Sequence, residues 1–380
     1  MFELVPNHPN DIGYALCKNH HQASNGKLKM GFCLMPKILE PCPENITKAI
    51  YMLESGGIVA FPTETVYGIG ANACSAAAVD KIFFHKHRSK SNPLSVCYKN
   101  LAQAARDVVV TDHAIALAEA FLPGPITLLL ERRSDASIAA LCSANTNKIG
   151  IRISSNGILQ NLLTQISFPL ASSSANKSSA LSPTTTALVL EQLQSMEDLI
   201  ILDGGNCEIG IESTVLDASG DLLKIVRSGA IDANEIHARS GIFCKNKEIS
   251  CNAATSSPDH GNFYSNDGNP SDQLGKIGKA AELQHYTFHK KIILNATCAD
   301  PGDAVLAFGI PFDCQCQYIL NLSESCNLRE AASHLFAMLQ KLDNSNAKKI
   351  CVMPIPHEDI GIAINDRLAK AARSWNETDR

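Results

Sequence analysis

Short apolar runs, separated by glycine, proline and small polar residues, dominate the first two thirds of the chain. Ile58–Phe61 is bounded by Gly56-Gly57 and Pro62, the pattern of a buried strand. The same texture recurs at Leu94–Tyr98, Ile126–Glu131, Ile149–Ile153, Pro169–Ser173, Leu199–Leu202, Thr214–Leu216 and Leu223–Val226. Between these runs, Ala78, Val79, Ile82 and Phe83 fall at helical spacing behind Ser75, which predicts a helix with a serine cap over 75–84. Helices are also expected over His113–Phe121, Asn156–Gln165 and Thr184–Leu193. Strands alternating with helices predict an α/β sheet whose ligands bind near strand ends and the loops beyond them.

The pattern changes after Ile236. Gly241–Gly278 is rich in Asn, Ser, Gly, Lys and Asp; it carries too little apolar surface to offset the entropy of ordering, and reads as a linker. Strand-like runs resume at Lys291–Leu294, Ala304–Phe308, Tyr318–Leu320 and Lys349–Met353. Leu328, Ala331, Ala332, Leu335, Met338, Leu339 and Leu342 share one face of a helix, and a second helix is expected over Ile360–Arg373. The expected organisation is an N-terminal extension over 1–40, an α/β domain over 41–240, a linker over 241–290 and a smaller α/β domain over 291–380.

At 380 residues and 45% hydrophobic content the chain can bury two cores. Its net charge of −5 argues against a general nucleic-acid coat or a polybasic membrane binder. No apolar run approaches the ~18 residues that span a bilayer, and the first residues lack the continuous apolar core of a secretory signal. The 14 cysteines run from Cys17 to Cys351 without a C-x-x-C, Cys314 and Cys316 being the closest pair. Structural zinc needs paired ligands, so the expectation is reduced thiols in a cytoplasmic protein with no metal held by its side chains.

Charge distribution changes the picture. From Lys81 to Arg106 there are six Lys or Arg and no Asp or Glu. A cationic island on an acidic chain is a site for an anion, phosphate foremost. Lys86 and Arg88 are two apart, so an extended backbone would send both side chains from one face. A guanidinium fork with an ammonium point charge suits a polyphosphate, and Asn92, held extended by Pro93, adds a neutral donor. Ser172–Asn176 follows a strand-like run with no bulky side chain, so a ligand can approach the backbone while hydroxyl and amide groups donate to it. Gly204–Thr214 is a glycine-punctuated loop leading into a strand. The chain has no P-loop, dinucleotide fingerprint, nucleophile elbow or H-E-x-x-H.

Six motifs stand together: Pro62-Thr63-Glu64-Thr65-Val66-Tyr67-Gly68; Lys86-x-Arg88 with Asn92-Pro93-Leu94; Pro123-Gly124-Pro125-x-Thr127; Gly150-x-Arg152; Ser174-Ala175-Asn176; and Glu212-Ser213-Thr214-Val215-x-Asp217. In order and spacing they resemble the YrdC/Sua5 family of threonylcarbamoyl-AMP synthases, over Pro41 to about Ile236. Glu330-Ala331-Ala332 through Asp343, and Ala363–Leu368, resemble the C-terminal domain of the long Sua5 form. The resemblance implies a twisted YrdC-type sheet with flanking helices, followed by a smaller Rossmann-like domain. It implies the conversion of L-threonine, bicarbonate or CO2 and ATP, with Mg2+ on the phosphates, into threonylcarbamoyl-AMP and pyrophosphate. The product would pass to a threonylcarbamoyl transferase acting on tRNA, and a weak contact with tRNA itself is implied.

By the same resemblance Lys86, Arg88, Ser174 and Asn176 are the catalytic set. Arg88, Asn92, Ser174, Ser182, Arg227 and Tyr286 would bind ATP, and Thr65, Cys97, Arg152, Ser172 and Ser213 would bind threonine. The second domain is expected to support rather than react. Cys97 stands where the family usually has His, Lys148 replaces a small hydroxyl residue, and Ser179 replaces a Gly. Lys279–Phe288 keeps His285-Tyr286 but lacks the prolines and glycine of the family's interdomain segment. The competing expectation is an RNA-binding protein of the same fold, using the cationic island without synthase activity; a hydrogenase-maturation carbamoyl-transfer domain is a third.

Overall fold

The computed structural model describes residues 36–244 and 286–378, with side-chain surroundings as far as residue 373. Residues 1–35 and 245–285, with most of the expected linker and His285, lie outside the described residues.

Ten strands form one sheet: β1 (Lys37–Leu39), β2 (Val59–Phe61), β3 (Gly68–Asn72), β4 (Ser95–Cys97), β5 (Ile126–Glu131), β6 (Lys148–Arg152), β7 (Leu170–Ser174), β8 (Ile200–Leu202), β9 (Thr214–Asp217) and β10 (Lys224–Arg227). Their order is β1-β8-β2-β3-β7-β4-β6-β5-β9-β10. Pairing is mixed: β4 runs parallel to β6 and β5 to β9, while β7 is antiparallel to both β3 and β4. Alternation along the strands sorts the two faces. Ile69, Val96, Leu128, Ile151 and Ala171 enter the main core, beneath the helix α2 (Ala76–Lys86) and its neighbours. The opposite face carries Gly70, Ser95, Gly150 and Ser172 in one paired row, and Cys97, Arg152 and Thr127 in the next. One end of that face is covered by the helix α1 (Pro43–Glu54) and Gly157–Gln165, which pack Ile46, Leu53 and Leu159 on Phe61 and Leu170. The other end is left to a cavity.

The cap expected at Ser75 is present, its hydroxyl accepting from the Ala78 N–H, and Asn156, expected inside its helix, instead caps Gly157–Gln165 by accepting from the N–H groups of Ile158 and Leu159. Three further features depart from expectation. β1 lies inside the segment expected as an extension and pairs with β8 at the sheet edge. α1 begins at Pro43, a residue suited to a helix's first turn. Gly68–Asn72, where the sequence predicts no strand, is a strand. A Cβ at Gly70 would lie 2.7 Å from the Phe61 ring, and one at Gly68 2.9 Å from it. Only glycine lets these backbones close.

The second domain is a four-stranded parallel sheet, β11 (Lys291–Ile293), β14 (Lys349–Val352), β12 (Ala304–Ala307) and β13 (Tyr318–Asn321), in the order β11-β14-β12-β13. Helices Leu328–Asp343 and Ile360–Thr378 complete it. Its core extends into the first domain, since Val66, Leu181 and Ile211 share an apolar cluster with Tyr286, Leu335 and Phe336. Gly210, at φ +78°, seats the two domains: a Cβ there would fall 2.4 Å from the Ser333 Cα. Among the described residues no helix is long and apolar enough to cross a membrane.

Candidate active site

The uncovered end of the sheet face opens into a cavity of about 270 Å³. Its floor is made of small side chains, Gly68, Ser95, Gly150, Ser172 and Ser174 among them, so a ligand can lie directly against the strands. Of the residues singled out from the sequence, Thr65, Lys86, Arg88, Asn92, Cys97, Arg152, Ser172, Ser174, Asn176, Ser213 and Arg227 all line it. Ser182 and Tyr286 do not.

Lys86 and Arg88 converge, though not through an extended backbone. Lys86 is the last residue of α2, His87 takes a left-handed conformation at φ 51°, and the Arg88 N–H returns to the Phe83 carbonyl at 2.9 Å. The helix end, not strand alternation, aims the pair. Nor is Lys86 surface charge: it is 1% exposed. Its ammonium donates to the backbone carbonyls of Ser174 and Asn176 and lies 3.4 Å from the Asn176 amide oxygen. Two acceptors and the negative end of the helix dipole hold the cation there. Burial, then repulsion from Arg88, depresses its pKa well below the ordinary lysine value. The Asn176 amide closes its loop by donating to the Lys177 and Ala180 carbonyls, at 3.0 and 2.7 Å.

Arg88 donates to the carbonyls of Asn92 and Pro93 at 3.1 and 2.7 Å. Burial, then Arg227, lowers its pKa to about 10. Arg227 reaches from β10 to the Ser213 carbonyl at 2.8 Å and the Ser213 hydroxyl at 3.1 Å; burial lowers it too to about 10, against the attraction of Glu212. Among the described residues, Lys86, Arg88 and Arg227 form no ion pair with a carboxylate. One buried and two half-buried cations with only neutral hydrogen-bond partners are a strongly anion-seeking wall.

The opposite wall is balanced. Arg152 pairs with Glu64, whose other oxygen accepts from the Ser154 hydroxyl, and it sits 3.3 Å from the Thr65 hydroxyl. The Arg152 guanidinium, expected to bind threonine, therefore already carries one carboxylate. Thr127 and Ser213 share a 2.8 Å hydroxyl bond across the floor. The Cys97 thiol lies between these groups, pushed up to about 11 by burial, with Arg152 opposing. It is a protonated, inert thiol at neutral pH. Lys148 is also on the lining, paired with Asp217 at 2.8 Å.

Ser182 stands behind the lining and donates to Glu212 at 2.7 Å. Tyr286 is buried at the domain junction, its ring 6.1 Å from that of Phe336; the neighbouring Thr287 N–H holds the Ser179 carbonyl at 2.7 Å. Sequence reasoning assigned no role to Glu64, Thr127, Glu212 or Arg367. Their motifs were visible, but their partners lie 86 to 155 positions away.

The charge set does not fit a metal held by the protein. Among the described residues no group of three His, Cys, Asp or Glu side chains converges, and Glu212, the carboxylate on the lining, is taken by Ser182 and Arg367.

A family profile described as "Telomere recombination" matches residues 51–229, and that of the "Threonylcarbamoyl-AMP synthase, C-terminal domain" matches 264–373. The chain is 30% identical to the threonylcarbamoyl-AMP synthase of Bacillus subtilis, over 91% of its own length and 98% of the relative's. It is 29% identical to that of Schizosaccharomyces pombe, over 83% and 84%. A crystal structure of P. abyssi Sua5 complexed with L-threonine superposes with a TM-score of 0.72 at 25% identity, covering 87% of this chain and 94% of that one. With both domains matched, the chain belongs to the YrdC/Sua5 family in its long, two-domain form.

Proposed function

We propose that this chain is a threonylcarbamoyl-AMP synthase, making threonylcarbamoyl-AMP and pyrophosphate from L-threonine, bicarbonate or CO2, and ATP. The observation that carries the reading is the asymmetry of one cavity: three cations without a carboxylate partner on one wall, Lys86 buried and Arg88 and Arg227 half-buried, and an Arg152–Glu64 pair with hydroxyl groups on the other. The first wall suits a polyphosphate; the second suits a zwitterion, with Arg152 for a carboxylate and Thr65, Ser172 and Ser213 for polar atoms. The threonine amine adds to CO2 and sheds a proton, giving a carbamate. A carbamate oxygen then attacks the α-phosphorus; the bond to the bridging oxygen breaks, and pyrophosphate leaves with that electron pair. Lys86, Arg88 and Arg227 meet the charge on the phosphoryl oxygens, and the Ser174–Asn176 loop sets their spacing. Positioning and fixed charge do the catalysis, which is why the site needs no acid–base dyad. Mg2+ would arrive on the ATP phosphates and offset their charge.

The product would feed a transferase that modifies tRNA. The eleven described cysteines are free thiols, which fits the reducing cytoplasm. RNA binding by the island is disfavoured, because the two cations at its centre, Lys86 and Arg88, line the cavity and hold backbone carbonyls there. The deciding experiment measures pyrophosphate release from ATP and bicarbonate, with L-threonine, with L-serine and with neither. Threonine-dependent release is expected; none with either amino acid, from a folded protein that binds ATP, would overturn the reading.

A further inference from the structure

One arginine of the second domain reaches into the first. Arg367, on the helix Ile360–Thr378, is 2% exposed. Its Nε donates to Glu212 Oε2 at 2.9 Å, and one terminal nitrogen donates to the Ser228 carbonyl at 2.9 Å. The other holds Asp366 at 2.6 Å, which in turn holds Lys370 at 2.9 Å. Glu212 and Ser228 flank one residue, Arg227. Ser228 follows it in the chain, and Glu212 precedes Ser213, whose carbonyl and hydroxyl Arg227 binds. Gly229 presses the same segments together, since a Cβ there would sit 2.4 Å from the Glu212 carbonyl.

We propose that Arg367 is a positioning residue for Arg227: by neutralising Glu212 and fixing the Ser228 carbonyl, it leaves the Arg227 guanidinium available to an anionic ligand, and so lets the second domain set the nucleotide affinity of the first. The electrostatic logic is a competition for one carboxylate. Glu212 is buried and ionised; burial alone would raise its pKa, but Arg367 and then Arg227 outweigh it and bring it down to about 2. Remove the Arg367 charge and the remaining cation beside Glu212 is Arg227. An uncompensated buried carboxylate draws in the nearest cation, and Arg227 would then face inward rather than toward a phosphate.

The inference rests on the synthase reading only for the identity of the nucleotide, so ATP is the probe and its affinity the primary readout. Calorimetric titration of the full chain compares wild type, Arg367→Gln, Arg367→Lys and the double variant Glu212→Gln/Arg367→Gln. The expected result is at least tenfold weaker ATP binding for Arg367→Gln, a smaller loss for Arg367→Lys, and recovery to within about threefold of wild type in the double variant, where no carboxylate is left to capture Arg227. In steady state the KM for ATP should rise, and kcat per folded molecule should fall with it, because Arg227 also meets charge on the phosphoryl oxygens. A merely structural role would lower the folded fraction, moving apparent kcat and leaving KM alone. Wild-type affinity in Arg367→Gln, or no recovery in the double variant, would overturn the proposal. Should Arg367→Gln not fold, the lysine and double variants carry the same test. A wild-type chain that binds ATP without threonine-dependent pyrophosphate release sinks the synthase reading, and the affinities still decide the role of Arg367.

Discussion

Replacing Lys86 by methionine removes a charge while keeping most of the volume, and the structure lets its effects on stability and on turnover be separated. The ammonium satisfies two backbone carbonyls, those of Ser174 and Asn176. Leaving each buried acceptor unpaired costs about 1–3 kcal/mol. Against that, the variant no longer buries a cation, and burying an ion costs several kcal/mol even after relaxation. The two terms oppose, so the net change in stability is expected to stay within about 2 kcal/mol. Turnover has no such offset. A fixed charge aimed at developing negative charge contributes about 2–4 kcal/mol to the transition state, roughly a 30- to 1000-fold fall in kcat/KM. Urea unfolding gives the first quantity; threonine-dependent pyrophosphate release, per folded molecule, gives the second. If Lys86→Met is strongly destabilised yet turns over like wild type once folded, the lysine is only a tie between α2 and the Ser174–Asn176 loop, and its catalytic assignment is wrong.

Two further outcomes follow from the same geometry. Lys86 is held below its ordinary pKa by burial and by Arg88, and a phosphate would restore it. In the window between that lowered value and the ordinary 10.5, ATP binding should therefore take up protons, seen as a calorimetric enthalpy that changes with the ionisation enthalpy of the buffer; no buffer dependence across that window would argue against phosphate contact with Lys86. Gly210→Ala adds a methyl where φ is +78° and the Ser333 backbone is 2.4 Å away. Strain and overpacking together should cost about 2–4 kcal/mol and loosen the second domain, exposing Ile211 to faster hydrogen exchange. Unchanged thermal unfolding would show that the domains do not bear on each other at this glycine.

The local physics of this protein is written in its sequence. Short apolar runs bounded by glycine, proline and small polar residues marked the strands β5, β6 and β7, because a strand buried in a sheet needs only a few apolar residues between turns. Ser75 and Asn156 cap their helices because the first N–H groups of a helix need acceptors nearby in the chain. The cationic island and the small-residue run at Ser172–Asn176 marked two parts of one cavity, because charge and bare backbone are properties of the residues themselves. β3 escaped because glycine is a poor strand former by composition, and only the Phe61 ring, on a neighbouring strand, explains why nothing larger fits. The burial of Lys86 escaped for a related reason: a lysine in a polar run reads as solvated until the carbonyls of Ser174 and Asn176, some ninety positions on, are seen to receive it. The pairing of Glu212 with Arg367 spans 155 positions and two domains. No periodicity encodes such a contact; it exists because packing the second domain's apolar face on Val66, Leu181 and Ile211 brings the two charges together out of water, where each then needs the other.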